Sequence, residues 1–287
     1  MSKYTVDSLS LSYIGDLLRD RLGDNASQYL FPDDFEKAVV DIGFGGVVID
    51  GTSSPYDEII FIGDGAGRSI RTGRSDLSGP SLPKYKKATF IKATSVPPYC
   101  LCYQTELTDV VFCDSITSIE TGALSYTSSL IKDIVLPSAV TKIDNRAFYQ
   151  SGISSISGAG VTSIPAAGAN NNGVFYNCPN LKNVYFPKLS TLPATATRGA
   201  FMNCIALETV QIGSIGYPIT SITAYVFQGC TSPFTITIYT EGSQVDTLVT
   251  NVRSSCANAT IVVKASADTT YNGVSYLAGA TIKTSTP

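Results

Sequence analysis

Four cysteines stand at one fixed interval: Cys178, Cys204, Cys230 and Cys256, each 26 residues after the one before. An apolar pattern travels with them. Phe175 lies three residues before Cys178, and Leu181, Val184 and Phe186 lie three, six and eight after it. The same offsets from Cys204 give Phe201, Leu207, Val210 and Ile212, and from Cys230 they give Phe227, Pro233, Ile236 and Ile238. Upstream the cysteine slot is filled by Ser151, Thr127 and Gln104, with Phe148, Leu124 and Leu101 three residues earlier. Self-similarity at a period of 20–50 residues marks stacked units. Apolar alternation at period two within each unit marks strands. One such unit cannot bury its own apolar face, so neighbours must stack to make a core.

A second short motif falls between the anchors: SITSI ending at Ile119, AVTKI at Ile143, GVTSI at Ile164, LSTL at Leu192 and PITSI at Ile222. Each unit therefore carries two short strands and one turn that ends in the Phe. A partial earlier copy, YKKATF, ends at Phe90.

The regular cysteines admit three readings: a metal site, a disulfide ladder or a buried core position. A zinc site needs ligands paired two to four residues apart. Only Cys100 and Cys102 come near that spacing, and the chain has no His. Because Ser, Thr and Gln fill the same slot, thiol chemistry is not what the slot requires. A free Cys behaves as a small, well-buried hydrophobe. The core reading is the one the repeat supports.

The unit I-x-x-x-A-F-x-x-C-x-x-L-x-x-V-x-F-P resembles the leucine-rich repeats of the BspA-like class, over about residues 85 to 264. The best matches are KIDNRAFYQSGISSI, GVFYNCPNLKNVYFP and GAFMNCIALETVQI. The resemblance implies a β-rich α+β chain whose repeats form a right-handed solenoid of about six to seven coils, with a parallel sheet on its concave side. The loop PAAGANNNG (165 to 173) lengthens one unit, and residues 251 to 287 lose the Phe. The sequence thus divides into an N-terminal helical module (1–45), a connecting β/loop region (46–84), the solenoid (85–264) and a C-terminal β cap (265–287).

In the N-terminal module, Leu11, Ile14, Leu17, Leu18 and Leu22 recur at helical spacing, and Gly23 follows as a stop. Phe35, Ala38, Val39 and Ile42 suggest a second helix. The phrase IGDLLRDRLGDNASQYLFPDDFEKAVVDI resembles a short module of prophage-encoded tail and minor structural proteins; it also reads as an ordinary helical cap on the solenoid. In the connecting region VVID and EIIFIG read as strands.

Catalytic chemistry is hard to assemble from these residues. GDGAGRS (63 to 69) lacks the phosphate-loop spacing and lysine. The absence of His removes Ser–His and Cys–His nucleophiles. The chain reads as non-enzymatic, with no cofactor. Charged residues are only 15% and the net charge is -3, so no basic stripe exists to neutralise phosphates and no nucleic-acid partner is expected. No apolar run approaches the ~20 residues of a membrane span, so no membrane insertion is expected. The opening MSKYTVDSLSLSYIGDLL carries no signal-peptide pattern, which points to synthesis in a bacterial cytoplasm.

If Val184 and Phe186 point inward, Asn183 and Tyr185 point outward. The equivalent outward positions make a candidate binding face of Lys87, Asp109, Asp133, Ser155, Asn183, Tyr185, Thr209, Gln211 and Thr235. Two functional readings follow. In the first, the chain is a phage or prophage tail-associated component in the virion. Its N-terminal helices bind other virion proteins, its solenoid contacts a host cell-surface protein or glycan, and that placement goes with a homotrimer. In the second, it is a BspA-like adhesin on a bacterial surface or secreted from it.

Overall fold

The computed structural model describes residues 39–41, 46–50, 56–62, 84–166, 173–194 and 198–284. Within them the repeat units stack coil on coil. The longer strand of each coil lies beside its equivalents in parallel register: Asp133–Val135, Ser155–Ser157, Asn183–Phe186, Thr209–Ile212, Phe234–Gly242 and Ala259–Tyr271. The partners are the residues the repeat aligns; Val184 faces Val210, and Val210 faces Ile236. The short motifs form two small parallel ladders of their own. One joins Ser95–Val96, Ser118–Ile119 and Lys142–Ile143; the other joins Thr191–Leu192 and Ser221–Ile222.

The core is a set of columns, each running through one position of the repeat. Phe148, Phe175, Phe201 and Phe227 stack ring on ring at 5.5, 5.1 and 5.5 Å, within 16° of parallel. Val184, Val210 and Ile236 form a second column, Leu181 and Leu207 a third. The anchor slot is a fourth, and it does more than fill space. The Cys178 thiol donates to the Phe148 carbonyl at 2.9 Å, Cys204 to Phe175 at 3.0 Å and Cys230 to Phe201 at 3.2 Å. The slot therefore suits a small side chain with a donor that reaches a backbone carbonyl, which for these cysteines lies in the coil before. That requirement explains why Ser and Thr can replace Cys. Thr127 donates within its own coil to Leu124, and its hydroxyl lies 2.8 Å from that of Ser151 in the next. Gln104, too long to imitate them, accepts from the Tyr85 backbone N–H instead.

The residue just before each of the first six anchors adopts the left-handed conformation: Tyr103, Tyr126, Gln150, Asn177, Asn203 and Gly229 all have φ between 54 and 78°. Only Gly and, less readily, Asn do so at little cost. In the first coils the tyrosines recover part of that cost by contact. Tyr103 stacks on Tyr126 at 4.1 Å, and Tyr126 meets Tyr149 edge-on at 5.0 Å.

All seven cysteines are free thiols. Burial, above all, holds the thiols of Cys100, Cys204 and Cys230 well above their ordinary value. Two results are expected. An alkylating reagent near neutral pH will modify half-buried Cys113 first and the six buried thiols only after denaturation; native labelling of Cys204 would contradict the packing. The folded chain also retains these thiol protons where the unfolded chain releases them. Stability is therefore full below the ordinary thiol value of 9.0 and falls above it, by up to about 1.4 kcal/mol per pH unit for each thiol. Denaturation midpoints measured from pH 7 to 10.5 test this.

Two expectations need correction. The second N-terminal helix was expected to run through Val39, but Val39–Asp41 is a strand, antiparallel to Gly46–Asp50. Val39 is β-branched, and its neighbour Val40 pairs with Val47, so the β-favouring pair VV joins a sheet in place of continuing a helix. Phe35, Ala38, Ile42 and the first helix lie outside the described residues, as do the GDGAGRS loop and the Asn-rich insertion 170–172. The second correction is the helix Val245–Ser255, which the sequence reading missed. It buries Val245, Leu248, Val249 and Val252 on one stripe, and the Asn251 amide donates to the Ile222 carbonyl at 2.7 Å. It takes over the side of the last coil where earlier coils place the Phe turn. Beyond it, Val274–Tyr276 and Thr281–Thr284 pair antiparallel with Ala259–Tyr271. Parallel stacking stops there.

Candidate functional site

Side chains alternate across a strand, so each coil sends one set inward and one set outward. Parallel register then lines up the outward set into rows. Asp133, Ser155, Asn183, Thr209 and Thr235 make one row; Val135, Ser157, Tyr185, Gln211 and Thr237 make the next. Neighbouring coils lie about 4.8 Å apart and the two rows about 6.6 Å.

Across four of these coils the face sinks into a depression of about 370 Å³. Its outward lining is Ser155, Ser157, Asn183, Tyr185, Thr209, Gln211, Thr235 and Thr237. Not one of these side chains is charged. Thr209 donates to the Asn183 amide oxygen at 2.7 Å, which fixes the amide and leaves its Nδ2 without a partner among the described residues. Tyr185 stands up from the sheet, 42% exposed.

Six of the nine residues singled out by the sequence line this depression; Lys87, Asp109 and Asp133 do not. Each of the three is held by a neighbouring segment. Lys87 pairs with Glu58 at 3.1 Å. Asp109 pairs with Lys132. Asp133 accepts hydrogen bonds from Ser155 at 2.6 Å and Ser154 at 2.9 Å, which keep its carboxyl below the usual range. Lys87 and Asp109 also belong to a different sheet, five-stranded, that includes Tyr56–Ile62 and Tyr85–Ile91. There the outward side is closed: Glu58 and Thr89 are buried, and the Thr89 hydroxyl donates to the Glu58 carboxylate. The contacts of Glu58 with Lys87 and Thr89 could not be foreseen from the sequence, because Glu58 lies before the first recognisable repeat, in the phrase EIIFIG.

At the rim of the depression Lys182 and Glu208, one residue ahead of Asn183 and Thr209, neutralise each other at 2.9 Å. On another edge Lys264 lies over the Tyr239 ring at 5.4 Å and Lys188 over Tyr217 at 5.5 Å. The face is thus an uncharged floor of mixed polarity, with a salt bridge on one margin and ring-backed lysines on another. Such a floor can exchange hydrogen bonds and offer one aromatic ring. Among the described residues no group of three or more Cys, Asp or Glu could hold a metal ion, and no helix is long and apolar enough to cross a membrane.

A family model described as the BspA type leucine-rich repeat region matches in six copies, over residues 94–232 and 171–277. Two solved structures are similar. A leucine-rich repeat protein from Bacteroides ovatus ATCC 8483 is 13% identical, with 70% of this chain and 58% of that one covered at a TM-score of 0.40. A leucine-rich cell surface protein from Faecalibacterium prausnitzii A2-165 is 18% identical, with 80% and 86% covered at a TM-score of 0.25. The present chain thus spans little more than half the length of the first. No curated protein matches the chain.

Proposed function

Because the chain belongs to the BspA-type leucine-rich repeat family, we propose that it is a non-enzymatic binding protein of the bacterial surface or secreted fraction, an adhesin that contacts a host protein or glycan. Leucine-rich repeat proteins of this family are generally binding proteins, usually on the bacterial surface or secreted. The observation that carries the reading is the uncharged depression across four coils, where in-register rows align outward Ser, Thr, Asn, Gln and one Tyr. A solenoid's extended face is where such folds bind.

The virion placement draws on the N-terminal phrase, and the described part of that stretch, Val39–Asp41, is a strand where the module would place a helix. The test is localisation by proteomics of three fractions from the source strain: cell envelope, culture supernatant and purified phage particles. Recovery in the envelope or supernatant is the expected result. Recovery confined to the particle band would overturn the surface reading and restore the tail-associated one.

A further inference from the structure

Resting on that reading, we propose that the depression binds a neutral oligosaccharide, laid across four coils with a sugar ring against Tyr185. Charge is the first discriminator. The lining holds no ionised group, and nearby charges on two sides are occupied, Lys182 by Glu208 and Asp133 by the serines at 154 and 155. An anionic ligand would find no free cation on the floor and would meet the Asp133 carboxylate at one end. Sulfated, sialylated and phosphorylated ligands are therefore disfavoured.

Polarity is the second. The lining is mixed: Ile156, Val184 and Val210 lie among outward hydroxyls and amides, which suits a ligand with apolar faces and polar edges better than a wholly apolar one. A hydroxyl group both donates and accepts, and so does each hydroxyl of a sugar. Ser, Thr, Asn and Gln can thus pair with a sugar edge in either sense and leave few groups unsatisfied. Asn183 is already set for this, with Oδ1 engaged by Thr209 and Nδ2 turned free.

The third discriminator separates sugar from protein. Protein interfaces draw their binding energy from anchors such as Trp, Tyr and Arg in desolvated pockets, while Ser and Thr are under-represented among them. This floor offers five Ser and Thr side chains and a single ring. One exposed tyrosine above a hydroxyl floor suits the mixed character of a pyranose, whose C–H face lies on an aromatic ring while its edge hydroxyls reach polar groups. Length fits as well. Four strands span about three inter-strand spacings, ~14 Å, longer than one monosaccharide and matched to a short oligomer.

The test is a microarray of neutral, sialylated and sulfated oligosaccharides, followed by calorimetry on the best neutral hit. The variants are Tyr185→Ala, Thr209→Val and Ser157→Asp. Expected are binding to neutral oligosaccharides, affinity lower by tenfold or more for Tyr185→Ala, a several-fold loss for Thr209→Val, and loss with Ser157→Asp. Tyr185→Phe, which keeps the ring, should retain most of the affinity and so separates stacking from a folding defect. Binding restricted to acidic glycans, no glycan binding, or a neutral hit indifferent to Tyr185→Ala would each overturn the proposal. Cell adhesion that is lost on altering this face, alongside a blank glycan array, would leave the adhesin reading standing and shift the ligand to protein.

Discussion

Replacing Phe201 by Ala is expected to destabilise the solenoid by about 3–5 kcal/mol. The ring is fully buried and stacks on Phe175 at 5.1 Å and on Phe227 at 5.5 Å. Truncation leaves a void that rigid neighbours on both sides cannot fill, because each is tied to the same backbone ladder. The Phe175 N–H donates to the Ala200 carbonyl at 2.8 Å and the Phe201 N–H to Val226 at 3.0 Å. Stacking adds about 0.5–1.5 kcal/mol per aromatic pair beyond burial. Urea denaturation followed by circular dichroism measures the loss. A control at exposed Tyr217 should stay within about 0.5 kcal/mol. A Phe201→Ala loss below about 1 kcal/mol would mean that the ring column is not packed as described.

Gly199→Ala is expected to cost about 3 kcal/mol or more, beyond the usual range for overpacking because the obstacle is backbone. A Cβ at Gly199 would overlap the Tyr225 carbonyl oxygen of the next coil, and one at Gly173 would overlap the Gly199 carbonyl in the same way. No rotamer change relieves either contact; the coils must separate, and the ladder between them loosens. Gly216→Ala is the matching control, since nothing lies near its Cβ position. The same denaturation experiment should show a large drop for the first variant and little change for the second. Equal behaviour would contradict the close approach of the coils.

Much of this architecture could be read from residue spacing, since a solenoid turns sequence offset into spatial adjacency. Residues 26 apart, such as Val184 and Val210, became strand partners, and alternation alone put Asn183 and Tyr185 on the outer face. Other features were harder to see. The anchor slot looked merely small and buried, yet its thiols also satisfy carbonyls of the preceding coil, which emerges only when the turns are placed in space. The left-handed residue before the first six anchors was legible at Asn177, Asn203 and Gly229, but Tyr103 and Tyr126 gave no such signal. The helix Val245–Ser255 did carry one, with apolar residues at 245, 248, 249 and 252; the period-two pattern of the surrounding strands obscured it. On the face, the charges were visible but their neutralisation was not. Lys87 finds Glu58, and Lys182 finds Glu208, across coil boundaries. The depression itself is uncharged because its lining carries no ionised side chain.

The most direct test of the functional account is adhesion of beads coated with the protein to cultured epithelial monolayers, comparing the native chain with a Thr209→Asp/Thr235→Asp double variant. Both threonines line the depression. Ser254→Asp, on the exposed side of the terminal helix, adds charge elsewhere as the control. If the outward face of the parallel sheet does the binding, native and control beads adhere and the double variant does not, with all three proteins equally folded by circular dichroism. Adhesion undiminished in the double variant, or lacking in the native protein, would contradict it.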